Sequence, residues 1–232
     1  MATLLWVVLP YLALATFVLG HVWRWRYDQF GWRTFNPPLV ENRLLRLGSP
    51  LVHLGVVAVI VGHLLGLLLP KGWTAALGVT DPVYRFISVT AGTLAGVTLL
   101  VGLVLLVARR IMHPAVRRTT TAMDVVMYLV LGAVVVLGIW ATVGVNVFGP
   151  GHDYRATVAV WYRGLFLLRP DASLMADAPP LFQLHTLAAL ALVAVWPFTR
   201  LVHTWAVPIA VFRPPARPAD RRSPAAGSSP VR

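Results

Sequence analysis

Residues 49–70 read SPLVHLGVVAVIVGHLLGLLLP, and residues 182–205 read FQLHTLAALALVAVWPFTRLVHTW. Each is long enough to cross a bilayer core of roughly 30 Å, which takes about 20 apolar residues as a helix. The first carries His53 and His63, the second His185 and His203. An ionisable side chain at membrane depth is costly and persists where something inside the bundle uses it. These two stretches therefore decide both the fold and the chemistry to look for.

The rest of the chain is suited to the same solvent. Of its 232 residues 58% are hydrophobic and only 12% charged, and the mean hydropathy is +0.73. Such a composition identifies an integral membrane protein. Five stretches are apolar enough to span, at 3–22, 47–69, 87–108, 124–147 and 181–210. No barrel-type alternation appears, so the backbone polar groups must be satisfied within helices. The expected fold is an all-α integral membrane protein of about five transmembrane helices over residues 1–212. Residues 213–232 lie in the Pro-, Arg- and Ser-rich stretch FRPPARPADRRSPAAGSSPVR and read as a disordered cytoplasmic tail. The first helix has no basic residue before its apolar run and two soon after, Arg24 and Arg26, which marks a retained span and not a cleaved signal. No internal repeat points to an inverted-repeat transporter.

Segments 21–50, 109–124 and 200–232 hold 15 of the 20 Lys and Arg residues. The opposite loops hold Lys71, Arg85, Arg155, Arg163 and Arg169, offset by Asp81, Asp153, Asp171 and Asp177. The positive-inside bias puts the N-terminus outside and the C-terminus in the cytoplasm, in a multi-pass protein of the cytoplasmic (inner) membrane. The same asymmetry accounts for the net charge of +12 through helix-end arginines and anionic lipid, without nucleic acid as a partner.

The chain has no cysteine. Thiolate-ligated iron–sulfur clusters, a CxxCH haem attachment and disulfides are thereby excluded. The histidine spacing narrows what remains. His53 and His63 are ten residues apart, about 15 Å along a helix, and His185 and His203 are eighteen apart, about 27 Å. No two on one helix can share a metal ion. Helices two and five run in opposite directions, so cross-pairing joins His53 with His203 and His63 with His185. Two imidazoles facing each other across a bundle are what a low-spin haem needs, and the lack of CxxCH leaves only a haem held without covalent attachment. The spacings differ by about 12 Å of rise, which helix tilt and a kink at Pro197 must absorb. Gly55, Gly62 and Gly66 flank the helix-two ligands and would admit a flat macrocycle. His21, His113 and His152 lie at helix ends or in loops and read as solvated or interfacial.

Four motifs carry a family likeness: RYDQFGWR at 26–33, HLGVVAVIVGHLLG at 53–66, ARRIMHPAVRRTTTAMD at 108–124 and PFTRLVHTWAVP at 197–208. With the ten- and eighteen-residue histidine spacings, they make the chain resemble the gamma subunit of respiratory nitrate reductase, a membrane dihaem cytochrome b, over nearly its whole length. The resemblance implies that His63 and His185 ligate the distal haem near the outer side and His53 and His203 the proximal, inner haem. It implies that menaquinol or ubiquinol is oxidised near the distal haem. Electrons would pass inward to an iron–sulfur beta subunit and a molybdenum-containing alpha subunit, where nitrate is reduced. With both axial positions of each haem filled, the chain itself relays electrons and leaves nitrate reduction to its partner.

Arg109, Arg110 and Arg200 stand near the inner ligands and are candidates for haem propionates. The resemblance places the quinol by the VGH glycine and histidine, here Gly62 and His63, with a lysine from the following outer loop. This sequence has Arg85 in VYRF there, and Lys71 nearer helix two, so either cation could meet the headgroup; a planar guanidinium does not replace an ammonium in kind. RATVAVWYRGLFLL at 155–168 has the mix of an interfacial helix, serving as an aromatic belt or as a lid over the quinol. Competing readings are a dihaem cytochrome b of a formate dehydrogenase, hydrogenase or heterodisulfide-type complex, and a transporter or anchor without haem. A transporter is disfavoured because only Asp124 places a carboxylate close to a span.

Overall fold

The computed structural model describes residues 1–27 and 43–205, and over these residues the fold is all-helical, with no strand. The tail and parts of the RYDQFGWR and PFTRLVHTWAVP motifs lie outside the described residues. Five helical segments are long and apolar enough to cross a membrane: Leu4–Tyr27, Arg43–Leu68, Asp81–Met112, Ala122–Asn146 and Pro180–Phe198. The first is a π-helical turn, Leu4–Val8, continued as α1, Leu9–Tyr27. The others contain α2 (Arg43–Leu68), α4 (Asp81–Met112), α6 (Ala122–Asn146) and α9 (Pro180–Val195). Short helices fill the connections: α3 (Lys71–Ala76), α5 (Pro114–Arg117), α7 (Val158–Phe166) and α8 (Ala172–Ala176).

Neighbours in the bundle are α2 with α4, α4 with α6, α6 with α9, and α9 with α1. Glycine sets the closest of these approaches. A Cβ on Gly55 of α2 would stand 2.7 Å from the backbone of Leu99, and one on Gly102 of α4 would stand 2.6 Å from the amide nitrogen of Val52. Small residues at a helix crossing let backbones meet, which is how apolar helices gain contact where lipid is as oily as leucine. A cluster of Leu99, Leu103, Leu131, Val135 and Leu192 fills the centre of α4, α6 and α9.

Three features differ from the sequence expectation. The fifth span is α-helical only to Val195, well short of 210. Pro197 lacks the N–H that would continue the ladder, and its ring crowds the preceding turn. Residues Trp196–Phe198 form a 3-10 turn, Thr199 is extended (ψ 176°), and Arg200–Trp205 form a second 3-10 segment. Helix α1 receives this break: a Cβ on Gly20 would meet Pro197 at 2.7 Å, and the Arg24 guanidinium donates to the Pro197 carbonyl at 2.8 Å. Secondly, α7 is helical as its composition suggests but is driven into the protein. Trp161, 2% exposed, donates Nε1–H to the Trp6 carbonyl at 2.7 Å, and Val158, Leu165, Met175 and Ala178 complete a buried cluster around the two indoles. The Arg163 guanidinium donates to Leu67 O at the end of α2 and the Tyr11 hydroxyl to Leu165 O. The third span also begins earlier than 87, at Asp81.

Candidate functional site

The helix break settles the mismatch of histidine spacings. From His185 to Val195 is ten α-helical residues, the same rise of about 15 Å as from His53 to His63. The remaining eight residues are spent in two tight turns and the extended Thr199, and these carry His203 back across the bundle. The rings meet as cross-pairing requires. His53 and His203 have centroids 6.1 Å apart, and His63 and His185 have centroids 5.9 Å apart. His63–His185 joins α2 to the fifth span, and His53–His203 joins α2 to the 3-10 segment that follows it. Helix α2 makes its main contacts with α4 and α7, and α9 with α6 and α1.

Each imidazole is oriented by a backbone carbonyl at Nδ1. His53 bonds Ser49 O at 2.7 Å, His63 bonds Val59 O at 2.8 Å, His203 bonds Arg200 O at 2.5 Å and His185 bonds Val134 O at 3.0 Å. With Nδ1 carrying the proton as donor, Nε2 presents its lone pair, which is how metal-bound histidines are held. The separations suit a shared metal: two metal–nitrogen bonds of about 2.0 Å, with about 1.1 Å from each nitrogen to its ring centre, come to about 6 Å. Among the described residues no three His, Cys, Asp or Glu side chains converge on one point. Each pair thus supplies two ligands, and an ion held there must bring its other ligands with it, as an iron porphyrin does. Gly62, next to His63, has nothing within 4 Å of where a Cβ would stand, and His53 and His63 are exposed on the face of α2. The residues fit the group.

Below the His53–His203 pair lies a charge cluster whose centre the sequence hinted at only as a lone carboxylate near a span. Asp124, 2% exposed, accepts Arg200 Nε at 2.6 Å and lies 3.5 Å from Arg110 Nη1. It also closes a capping box at the start of α6, accepting the Thr121 amide at 2.9 Å while its own amide donates to Thr121 Oγ1 at 3.2 Å. Thr-x-x-Asp before an apolar run is the sequence signal that could have found it. Arg110 and Arg200, two of the three propionate candidates, are thus gathered around one carboxylate, while Arg109 is buried in α4.

At the His63 end the two cations offered as quinol partners by the sequence, Lys71 and Arg85, are placed differently from one another. Lys71 sits between Asp81 at 2.6 Å and Asp153 at 2.8 Å, and its ammonium is held above its ordinary range by those two carboxylates, Asp153 first. Burial pushes the Asp153 carboxyl up, but the Lys71 hydrogen bond and charge outweigh it and leave the group below the usual carboxylate range. Arg155, 4% exposed, completes the cluster by pairing with Asp81 at 2.8 Å and stacking 3.6 Å above the Tyr84 ring. The Tyr84 hydroxyl meets the Tyr154 hydroxyl at 3.0 Å, and Tyr154 in turn lies against Gly66. Arg85 instead donates to the Asn146 carbonyl at 2.7 Å, at the end of α6, and among the described residues no carboxylate pairs with it. Nor is His152 simply solvated: its Nε2 is 2.8 Å from Thr157 Oγ1, and its ring lies 5.2 Å from that of Phe182, one turn before His185. Burial lowers its pKa, against the opposing charge of Asp153.

The chain is similar in sequence to known proteins. The chain is 47% identical over 216 residues to the nitrate reductase-like protein NarX of Mycobacterium tuberculosis, an alignment covering 92% of this chain and 33% of NarX. It therefore spans about a third of that relative's length. It is 39% identical to the nitrate reductase gamma chain of Bacillus subtilis, covering 89% of this chain and 92% of that one. With the respiratory nitrate reductase 1 gamma chain of Escherichia coli the identity is 31%, over 87% and 89% of the two chains. The family model of the nitrate reductase gamma subunit matches residues 2–219. Five apolar helices and this match across nearly the whole sequence place the chain, a multi-pass membrane protein, in the nitrate reductase gamma subunit family.

Proposed function

We propose that the chain is the quinol-oxidising, electron-relaying membrane subunit of a nitrate reductase, holding two b haems by His53 with His203 and His63 with His185. The observation that carries this is the meeting of both histidine pairs, one between α2 and α9 and one between α2 and the 3-10 segment after it, at a separation fit for one metal each. Held by the two imidazoles of each pair, such a group would supply single-electron exchange and would leave no coordination position for nitrate.

The chain's residues supply the rest. The N-terminus is outside, so the His63 end, with its Lys71–Asp153 cluster, faces out and the Asp124 cluster faces the cytoplasm. Gly62 leaves the face beside His63 open for a quinol headgroup. Arg85 is favoured over Lys71 as the cation meeting it, since Lys71 is neutralised by two carboxylates and Arg85 by none. Protons of the quinol leave on the outer side, and electrons pass inward toward an iron–sulfur beta subunit and a molybdenum-containing alpha subunit. Arg117 and Arg118, exposed in the connection after α4, lie on the face where such partners would dock. Arg109, Arg110 and Arg200 are the cations for the propionates of the inner haem. Charge is separated across the membrane without a proton channel.

A pyridine haemochrome assay with low-spin EPR tests the proposal on purified chain. Two haems per polypeptide are expected, with His53→Ala and His203→Ala removing one signal and His63→Ala and His185→Ala the other. Absence of haem from folded protein, or loss of the same signal in all four variants, overturns it. Arg85→Ala should raise the quinol KM more than Lys71→Ala.

A further inference from the structure

Three of the four imidazoles are oriented by a carbonyl of their own segment, three or four residues back. His185 is not. Its Nδ1 bonds Val134 O on α6, 51 residues away in sequence, so its orientation depends on how closely its ring can approach another helix. Residue 138, one turn along α6 from Val134, is glycine. A Cβ there would lie 2.8 Å from Cε1 of His185, 3.2 Å from Nδ1 and 3.6 Å from Nε2. The ring rests directly on bare backbone.

We infer that Gly138 is a positioning residue for His185: it is the seat that lets the imidazole reach Val134 O and aim Nε2 at His63. The inference rests on the dihaem reading above. Helix α6 cannot simply withdraw to make room. Ile139 is pressed against Gly96 of α4, where a Cβ would stand 2.7 Å from its Cγ1. A methyl group at 138 therefore moves the ring. Contact must open from 2.8 Å to 3.4 Å or more, and the displacement loosens the bond to Val134 and turns Nε2 away from its aim. Gly132, on the same helix, has nothing within 4 Å of its Cβ position and provides a matched control.

The test uses the full chain purified in detergent. Gly138→Ala and Gly132→Ala are compared with the parent by pyridine haemochrome, low-spin EPR and potentiometric titration, and Gly138→Ala is also built in a His185→Ala background. For Gly138→Ala we expect the His63–His185 signal to shift or disappear, with haem falling from two per chain toward one. The His53–His203 signal should keep its g-values and potential, and Gly132→Ala should match the parent. In the His185→Ala background, where the ring is gone, Gly138→Ala should cause no further loss. Two unshifted signals in Gly138→Ala overturn the inference. So does loss of the remaining haem from the double variant alone, since that would make Gly138 a helix-packing residue; the same comparison decides the matter if the single variant does not fold. A parent protein without haem would instead overturn the dihaem reading.

Discussion

Replacing Asp124 by Asn removes one charge from the most enclosed carboxylate of the bundle while keeping its shape. The amide oxygen can still accept the Thr121 amide, so the helix cap survives, but the two guanidinium groups of Arg110 and Arg200 lose their counter-charge. Breaking a buried ion pair from one side costs roughly 3–5 kcal/mol. Arg200 and Arg110 are 29% and 15% exposed and recover part of their hydration, which brings the expected cost of Asp124→Asn to about 2–3 kcal/mol. Asp124→Ala also loses the capping box, worth about 1 kcal/mol, and should cost about 3–4 kcal/mol. Graded SDS denaturation of the purified protein reads both. Arg200 O holds His203 Nδ1, so in both variants the signal assigned to the His53–His203 pair should weaken before the other. An Asp124→Asn protein within about 0.5 kcal/mol of the parent, the range of an ordinary surface substitution, would refute the reasoning. So would an alanine variant no worse than asparagine.

Gly55→Ala drives a methyl group into the Leu99 backbone and should cost about 1–3 kcal/mol in the same denaturation, with Gly132→Ala neutral or slightly stabilising. Trp161→Phe leaves the Trp6 carbonyl without its buried donor and should cost about 1–3 kcal/mol, with proteolysis of the 147–179 connection increased. That connection should also respond to pH. The depressed His152 pKa means the unfolded chain takes up its proton first, so stability is lost as pH falls from 6.5 toward the folded value. Asp153, also depressed, adds stability above its ordinary 3.8 that is lost as pH falls through its lower folded value; Lys71, raised, contributes below 10.5 and is lost only above it. Protease sensitivity of residues 147–157 should therefore rise in two steps on acidification, and His152→Gln should remove only the first.

The spans and which histidine rings would meet were legible because both rest on local arithmetic. Twenty apolar residues cross a bilayer whatever they pack against, and ten residues of helix separate two ligands by the same distance in any bundle. Pro197 announced a kink, but not that the chain would leave the α-helix and return through an extended Thr199. That outcome depends on Gly20 and Arg24 of a distant helix. The contact between Gly138 and His185 has no local signature, since glycine in a membrane helix is commonplace. Asp124 was visible as an isolated carboxylate, yet its two arginine partners come from segments 14 residues before and 76 after it. The burial of α7 was missed for a related reason: its aromatic and basic composition suits an interface, and the groups that draw it inward, Trp6, Tyr11 and the end of α2, are far away in sequence.

Helices α2 and α4 form one antiparallel hairpin, α6 and α9 another, and each histidine pair joins α2 either to α9 or to the 3-10 segment that continues it. Any group bound between them therefore acts as a crosslink between two halves of the molecule that otherwise meet chiefly through α4 and α6. Two such bolts at different depths resist twisting of the halves as well as separation. With one removed, the hairpins can pivot about the other.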